Sequence, residues 1–465
     1  MQETRAHSLP PTASSLLSYS LQPAASSLLS SSLQPTAHSL LSSSLQPTAH
    51  SLKRWLRDWK LRVLVFFSIL GPGFITANVD NDAGGIYTYS LAGAKFGYLL
   101  LWIFVPMTIA LVVVQEMGAR MGAVTGKGLS DLVREEFGFR ITFLMMAALV
   151  LANFTNVMAE FAGVASSLQI FGVSPYISVP ASAFLVWVLV VRGDYKSVEK
   201  IFLVASGFYI AYIISGALAK PDWELAAISV ARPRMPLTAE ALMMVVGLIG
   251  TTIAPWMQFY LQAAVVEKGV QAEQYAASRV EVVIGCIFMS VVAFFIVVAC
   301  AATLHVGGQH EIKDAAHAAV ALRPLAGRYA AVLFTFGLFN ASLFAASILP
   351  LATAYTVCEG LGFESGVNKT FREAPFFYWL YTLLIVLGAG VVLIPGFPLI
   401  RMIFLSQVLN GLLLPFILVF MVLLINRVDL MGEYTNSRLY NVITWATVIV
   451  VGLLGAILTV ATLRG

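Results

Sequence analysis

The sequence predicts an all-α, polytopic membrane protein built as a five-plus-five inverted repeat with two discontinuous helices. Three observations lead there. Of 465 residues, 59% are hydrophobic and only 11% charged, against about 25% charged in soluble domains. Eleven apolar stretches follow one another along the chain, most of them near the roughly 20 residues needed to cross a bilayer. The first and sixth are interrupted at mid-depth, one by an acid followed by paired glycines and the other by a proline. Broken helices at equivalent positions of two halves mark a transporter whose site lies between the breaks.

The amino end does not belong to this fold. PTASSLLSYSLQ, PAASSLLSSSLQ and PTAHSLLSSSLQ succeed one another with a period of 12, and a further copy starts at Pro47. Residues 1–52 therefore read as a low-complexity, disordered tail, or as repetitive sequence translated ahead of the true start. They have no basic start, single apolar block and cleavage site of the kind a secretory signal carries. The segment 53–62, KRWLRDWKLR, is basic and bears tryptophan, which suits the cytoplasmic face of a membrane.

The spans are expected at 63–94, 98–119, 141–171, 176–192, 200–219, 240–266, 280–305, 328–357, 376–395, 400–425 and 440–462. Residues 63–219 form the first five-helix repeat, 240–425 the second, and the eleventh helix is an addition. Pro106, Pro180, Pro255, Pro350 and Pro415 interrupt spans, which membrane helices tolerate where neighbours satisfy the freed backbone. With the amino end inside, about 18 Lys and Arg flank the inner ends, Arg120, Lys127, Arg134, Arg140, Arg192, Lys196 and Lys200 among them, and about 9 the outer ends. That bias favours a cytoplasmic amino end, and eleven spans then leave the carboxyl end outside.

In the first span, Gly71 to Gly93 reads GPGFITANVDNDAGGIYTYSLAG. Carboxylates are expensive at that depth, and the glycines invite the helix to unwind there. Asp82 is the leading cation ligand; equally it suits the N-cap of a short helix starting near Ile86, and the two roles can coexist. Asp80, Asn78 and Asn81 could hold water around an ion or bond between helices. In the sixth span, GTTIAPWMQ, Pro255 cannot donate a backbone bond and Gly247 and Gly250 loosen the turns before it. The break at Ala254, Pro255 and Trp256 frees carbonyls such as that of Thr251 for a hard cation; the alternative is a proline kink filled by a packed tryptophan. Glu160 lies mid-span in the third helix, as a site acid or a hydrogen-bonded structural one. Gln407 and Asn410 of the tenth could reach the cavity or bridge helices.

Enzyme signatures are missing from the sequence. His7, His38, His50, His305, His310 and His317 avoid the middles of spans, and no Walker or HExxH motif occurs. Cys286, Cys300 and Cys358 show no paired spacing for a disulfide or thiolate metal site. Nucleic-acid binding has no support, and no cofactor or obligate protein partner is implied; the partners are divalent ions and the lipid bilayer.

Four segments carry a resemblance: GPGF with DAGG and AGAKFGYLLLW, ARMGAVTGKGLSDLVREEFG, GLIGTTIAPWMQFYLQAAVVEKG, and FLSQVLNGLLLPF. In this order, from about Val63 to Leu463, the chain resembles the NRAMP family of divalent-metal transporters. The resemblance implies a LeuT-like fold and a metal site made from an Asp-Pro-Gly-Asn motif in the first helix and a Met-Pro-His motif in the sixth. Here the Asp and Gly stand as Asp82 and Gly84, while Ala83 and Gly85 replace the Pro and Asn. Pro255 is kept, with Ala254 for the Met and Trp256 for the His.

Losing the soft thioether removes discrimination in favour of transition metals, and a roomy site with few ligands suits Mg²⁺, which keeps its waters. The family's proton path is also depleted. Glu160 matches its glutamate, but Val157 takes the place of an aspartate, Trp256 and Gln262 of histidines, and no Arg or Lys lies between Arg372 and Arg401. These substitutions are similar to those of the NRAMP-related magnesium transporters.

The expected function is import of Mg²⁺, and also Mn²⁺, by alternating access without proton coupling. Asp82 would supply the charge, carbonyls near Val79 and Thr251 and ordered waters would complete the shell, Gln407 would enter in occluded states, and Gly85, Ala254 and Trp256 belong to the same metal site. Rival readings are a proton-coupled Mn²⁺ or Fe²⁺ transporter, a sodium-coupled organic-solute transporter of the same fold, and a metal sensor that does not transport.

Overall fold

The computed structural model describes residues 71–192, 207–312 and 315–464. The repetitive tail, the basic segment 53–62, the start of the first span and the segment with Lys196 and Lys200 lie outside these residues.

Hydropathy dictates the architecture, because lipid cannot satisfy backbone amides and carbonyls and a spanning segment must close its bonds on itself. The first span is two short helices, α1 (Pro72–Val79) and α2 (Ala83–Phe96). It is followed by α3 (Phe104–Thr125), α4 (Leu129–Phe137), α5 (Phe139–Gln169), α6 (Pro175–Arg192), α7 (Ile210–Leu218) and α8 (Trp223–Ala231). The sixth span is again divided, into α9 (Ala239–Thr252) and α10 (Pro255–Glu267). Then come α11 (Tyr275–Cys300), α12 (Ala330–Leu361), α13 (Pro375–Val392), α14 (Leu399–Ile425) and α15 (Arg438–Arg464). Among the described residues, nine helices are long and apolar enough to cross a membrane, and Gly207–Leu218 is a shorter apolar helix; the starts of the expected first and fifth spans, 63–70 and 200–206, lie outside the described residues.

The prolines differ in use. Pro180, Pro350 and Pro415 sit inside continuous helices, whereas Pro255 begins α10, where its missing N–H breaks no intrahelical bond. Helix α4 lies between the spans expected at 98–119 and 141–171; it buries Leu129, Leu132 and Val133 while Glu135 stays exposed, a polar-faced helix whose composition resembles a connection. Arg120, at the inner flank of the second span, lies within α3 at 8% exposure, 3.1 Å from Glu116 one turn earlier and bonded to the Tyr434 carbonyl. A buried guanidinium needs such partners, and they pin the segment before α15.

Packing sets the two broken helices side by side. Helix α2 packs on α9 and α1 on α10, and α11 runs along both α1 and α2. Tyr89 of α2 and Thr252 of α9 join hydroxyl to hydroxyl at 2.8 Å, and Lys95 pairs with Glu240 at the far ends of the same two helices. Helix α5 is clamped between α12 and α14, with Asn153 bonded to Thr353 at 2.9 Å. Gly250 does not loosen α9 as the sequence predicts. A Cβ there would strike the backbone of Gln407 and Gly411, and one on Gly411 would strike the Val246 carbonyl. The glycines let α9 and α14 touch backbone to backbone, which carries Gln407 toward the break.

Candidate metal site

The helical ladder stops at Val79 and resumes at Ala83, leaving Asp80, Asn81 and Asp82 between. Asp82 is the N-cap of α2: its Oδ1 accepts the Gly85 amide at 2.7 Å, and its carbonyl accepts that of Ile86 at 2.9 Å. The helix thus starts three residues earlier than expected, and Gly84 and Gly85 belong to its first turn instead of to the unwound stretch. Their missing side chains serve close approach. A Cβ on Gly85 would meet the Asp80 carbonyl, and one on Gly84 the Gln407 amide. Gly84→Ala is therefore expected to push Gln407 aside and slow metal uptake by about tenfold, in line with the roughly 1–3 kcal/mol of overpacking. Initial rates at matched folded fraction test this.

A second acid meets the same helix end. The Ala83 amide, next in the chain to Asp82, donates to Glu160 Oε2 of α5 at 3.2 Å. Two carboxyl groups on the first-turn amides exploit donors that have no intrahelical partner and the positive end of the helix dipole. Both are buried, Glu160 fully and Asp82 at 5% exposure.

One turn before Glu160, Asn156 exchanges hydrogen bonds with Asn410 of α14 at 3.0 and 3.1 Å, and Asn410 also donates to Gln407 Oε1 at 3.1 Å. This chain fixes Gln407 beside Gly84. Asn156 escaped the sequence reading; its spacing of four from Glu160, on one face of an apolar span, is the signal that could have found it.

Asn81 has both side-chain polar atoms buried without a hydrogen-bond partner among the described residues, as do Asp80 Oδ2, Asn78 Oδ1 and Glu160 Oε1. Such groups are costly to bury unpaired, and water or an ion beside them would satisfy them singly. Among the described residues no backbone amide returns to the carbonyls of Val79 or Thr251; the residue four beyond Thr251 is Pro255, which has no N–H to give.

The remaining sequence candidates fare differently. The Ala254 carbonyl already accepts the Met257 amide at 3.1 Å and the Gln258 side chain at 3.4 Å. Trp256 is buried in the first turn of α10, its ring 6.3 Å from that of Tyr260. Asn78 turns back to the Phe74 carbonyl of its own helix at 2.7 Å. Among the described residues no three His, Cys, Asp or Glu side chains converge to hold a metal. Any ion here would complete its shell with carbonyls, amides and water, the oxygen donors of hard cations.

The family model for natural resistance-associated macrophage protein-like proteins matches residues 73–461. The chain belongs to the Nramp family. Its Nramp relatives include the divalent metal cation transporter MntH of Erwinia tasmaniensis, 29% identical over 408 residues that cover 85% of this chain and 94% of the relative. MntH of Pectobacterium carotovorum is 28% identical over 411 residues, covering 86% and 96%. Among solved structures, the manganese transporter of Eremococcus coleocola superimposes with a TM-score of 0.67 at 22% identity, over 84% of this chain and 85% of the other. The nucleobase-cation-symport transporter Mhp1 gives 0.53 at 14% identity, over 83% and 91%. This Nramp chain thus has the LeuT-like fold.

Proposed function

We propose that this Nramp protein, a divalent metal cation transporter, imports Mg²⁺, and also Mn²⁺, across the plasma membrane by alternating access without proton coupling. The observation that carries this is the Asp80–Asp82 break, where a capping carboxylate and a second acid lie among buried oxygen and amide groups that lack partners. Asp82 supplies the charge; the carbonyls of Val79 and Thr251, the Gly85 turn, Gln407 and retained waters complete the shell. Ala254 and Trp256 stand at the second break without offering a soft donor, which favours an ion that keeps its water. The halves 63–219 and 240–425 would rock about this site, as in the NRAMP-related magnesium transporters the sequence resembles.

The experiment is metal flux into proteoliposomes that carry an internal pH dye. Mg²⁺ and Mn²⁺ should enter with no acidification; proton influx tied to Mn²⁺, with Mg²⁺ excluded, would sink the proposal. Ala254→Met adds a thioether at the second break and is expected to move the Mn²⁺-over-Mg²⁺ preference by about tenfold, from the affinity of soft ligands for transition metals. Competition between the two ions reads it.

A second reading, proton-coupled Mn²⁺ transport, is favoured by one observation, that the Glu160 carboxyl group bonds the Ala83 amide next in the chain to Asp82, since neighbouring acids can share a proton. Under it Glu160→Gln would uncouple or stop transport.

A further inference from the structure

Among the described residues, helix α1 has no cap of its own. Its N-cap residue is Gly71, in extended conformation, and no side chain from that residue closes the first turn. The amides of Gly73 and Phe74 instead donate to one oxygen, Oε1 of Glu281 on α11, at 2.7 and 3.1 Å. Glu281 is 6% exposed and 208 residues away in sequence from Gly73. Two further features build this contact. A Cβ on Gly71 would meet both the Lys268 ammonium, at the C-cap of α10, and the Glu281 carboxylate; one on Gly73 would meet Val282. On the facing helix, a Cβ on Gly285 would lie 2.8 Å from the Phe74 Cα and 3.3 Å from the Ala77 Cβ. Glycines on both helices thus bring α1 down onto α11, and the start of α1 and the end of α10 meet around one buried carboxylate.

We infer that Glu281 is a positioning residue for transport, a latch that holds α1 against α11 and closes the metal site toward the end of the bundle where Gly71 and Lys268 lie. A helix capped by its own residue keeps its cap wherever it moves. Helix α1 is capped in trans, so among the described residues the Gly73 and Phe74 amides have their partner while it is seated on α11. The carboxylate also sits at the positive end of the α1 dipole, with Lys268 beside it. Eight residues of α1 separate this cap from the Asp80–Asp82 break, so releasing the latch frees the segment that stands between the ion and that end of the bundle. Water would take over the amides once α1 has moved. This rests on the alternating-access reading of the site.

The test is thiol accessibility at Ala77, which is fully buried and faces Gly285 across the interface. The buried Cys286, Cys300 and Cys358 are first replaced by alanine, and Ala77→Cys is introduced as reporter, with Ala352→Cys, fully buried in α12, as control in a separate chain. Glu281→Gln keeps the shape and removes the charge. It should speed modification at position 77 by about tenfold, since a neutral acceptor holds such bonds about half as strongly as a carboxylate, and Glu281→Ala should speed it further. The control position should not change. Equal rates in parent and Glu281→Gln, or a rise shared by both reporters, would overturn the latch. Labelling is read without metal, so a parent protein that shows no flux would defeat the transport reading while leaving this result to stand or fall separately.

Discussion

Asp82→Asn is expected to lower Mg²⁺ and Mn²⁺ uptake by about 100-fold or more while leaving the protein folded. Asparagine is about as good an N-cap as aspartate, so its Oδ1 can keep the bond to the Gly85 amide that starts α2, 2.7 Å long in the parent. What it removes is the charge. Truncating one partner of a buried charge pair typically costs about 2–5 kcal/mol, and the site offers few other full charges to replace it: Glu160 is engaged by the Ala83 amide, and no third acid, thiol or imidazole joins the cluster among the described residues. The companion substitution separates two mechanisms. If no proton is coupled, Glu160→Gln should lower uptake only about threefold, the effect of weakening one hydrogen bond to a charged group. A loss as deep as that of Asp82→Asn would make Glu160 part of a proton path. Near-parental uptake by Asp82→Asn, measured with radiolabelled Mn²⁺ in proteoliposomes, would remove the metal site from this break altogether.

The second large effect is electrical. A divalent ion moving alone gains about 4.6 kcal/mol per 100 mV of inside-negative potential, equivalent to roughly 2,000-fold accumulation at tenfold per 1.4 kcal/mol. Vesicles clamped by a potassium gradient and valinomycin should therefore accumulate Mn²⁺ by about one decade for each ~30 mV. An imposed pH gradient at fixed potential should leave that ratio unchanged. A ratio that follows the pH gradient, or a slope for a charge other than two, would reject uniport.

Individual residues differ in how much of this was legible beforehand. Asp82 stood out because a carboxylate inside an apolar run is expensive and rarely accidental. Glu160 was visible for the same reason, but its meeting with the α2 amides was not, since 77 residues separate it from Ala83. Gly84 and Gly85 were located correctly and misread. Glycine offers both backbone freedom and the absence of a Cβ, and a sequence does not say which is in use; here it is the second, against Gln407 and Asp80. Pro255 did mark a break, yet Trp256 beside it packs on Tyr260. Asn156 passed unnoticed because an isolated amide in a span gains meaning only when Asn410 is seen to face it. Helix α4 was hidden by its polar face.

The sequence by itself determined the membrane-spanning helical architecture, the two places where spans break and the acid at the first break. Each is a local property: lipid forces an apolar segment to satisfy its own backbone, proline has no amide to give, and a buried carboxylate needs a reason to be there. The tertiary structure decided which polar groups share the site. Glu160 and Gln407 reach the start of α2, and Asn156 reaches Asn410, only because α5 and α14 pack there, with Gly250 and Gly411 allowing α14 to close on α9. It also decided that the first turn of α1 is capped by Glu281 from another helix. Contacts between residues dozens to hundreds of positions apart depend on shape, and shape is set only when all the helices are packed together.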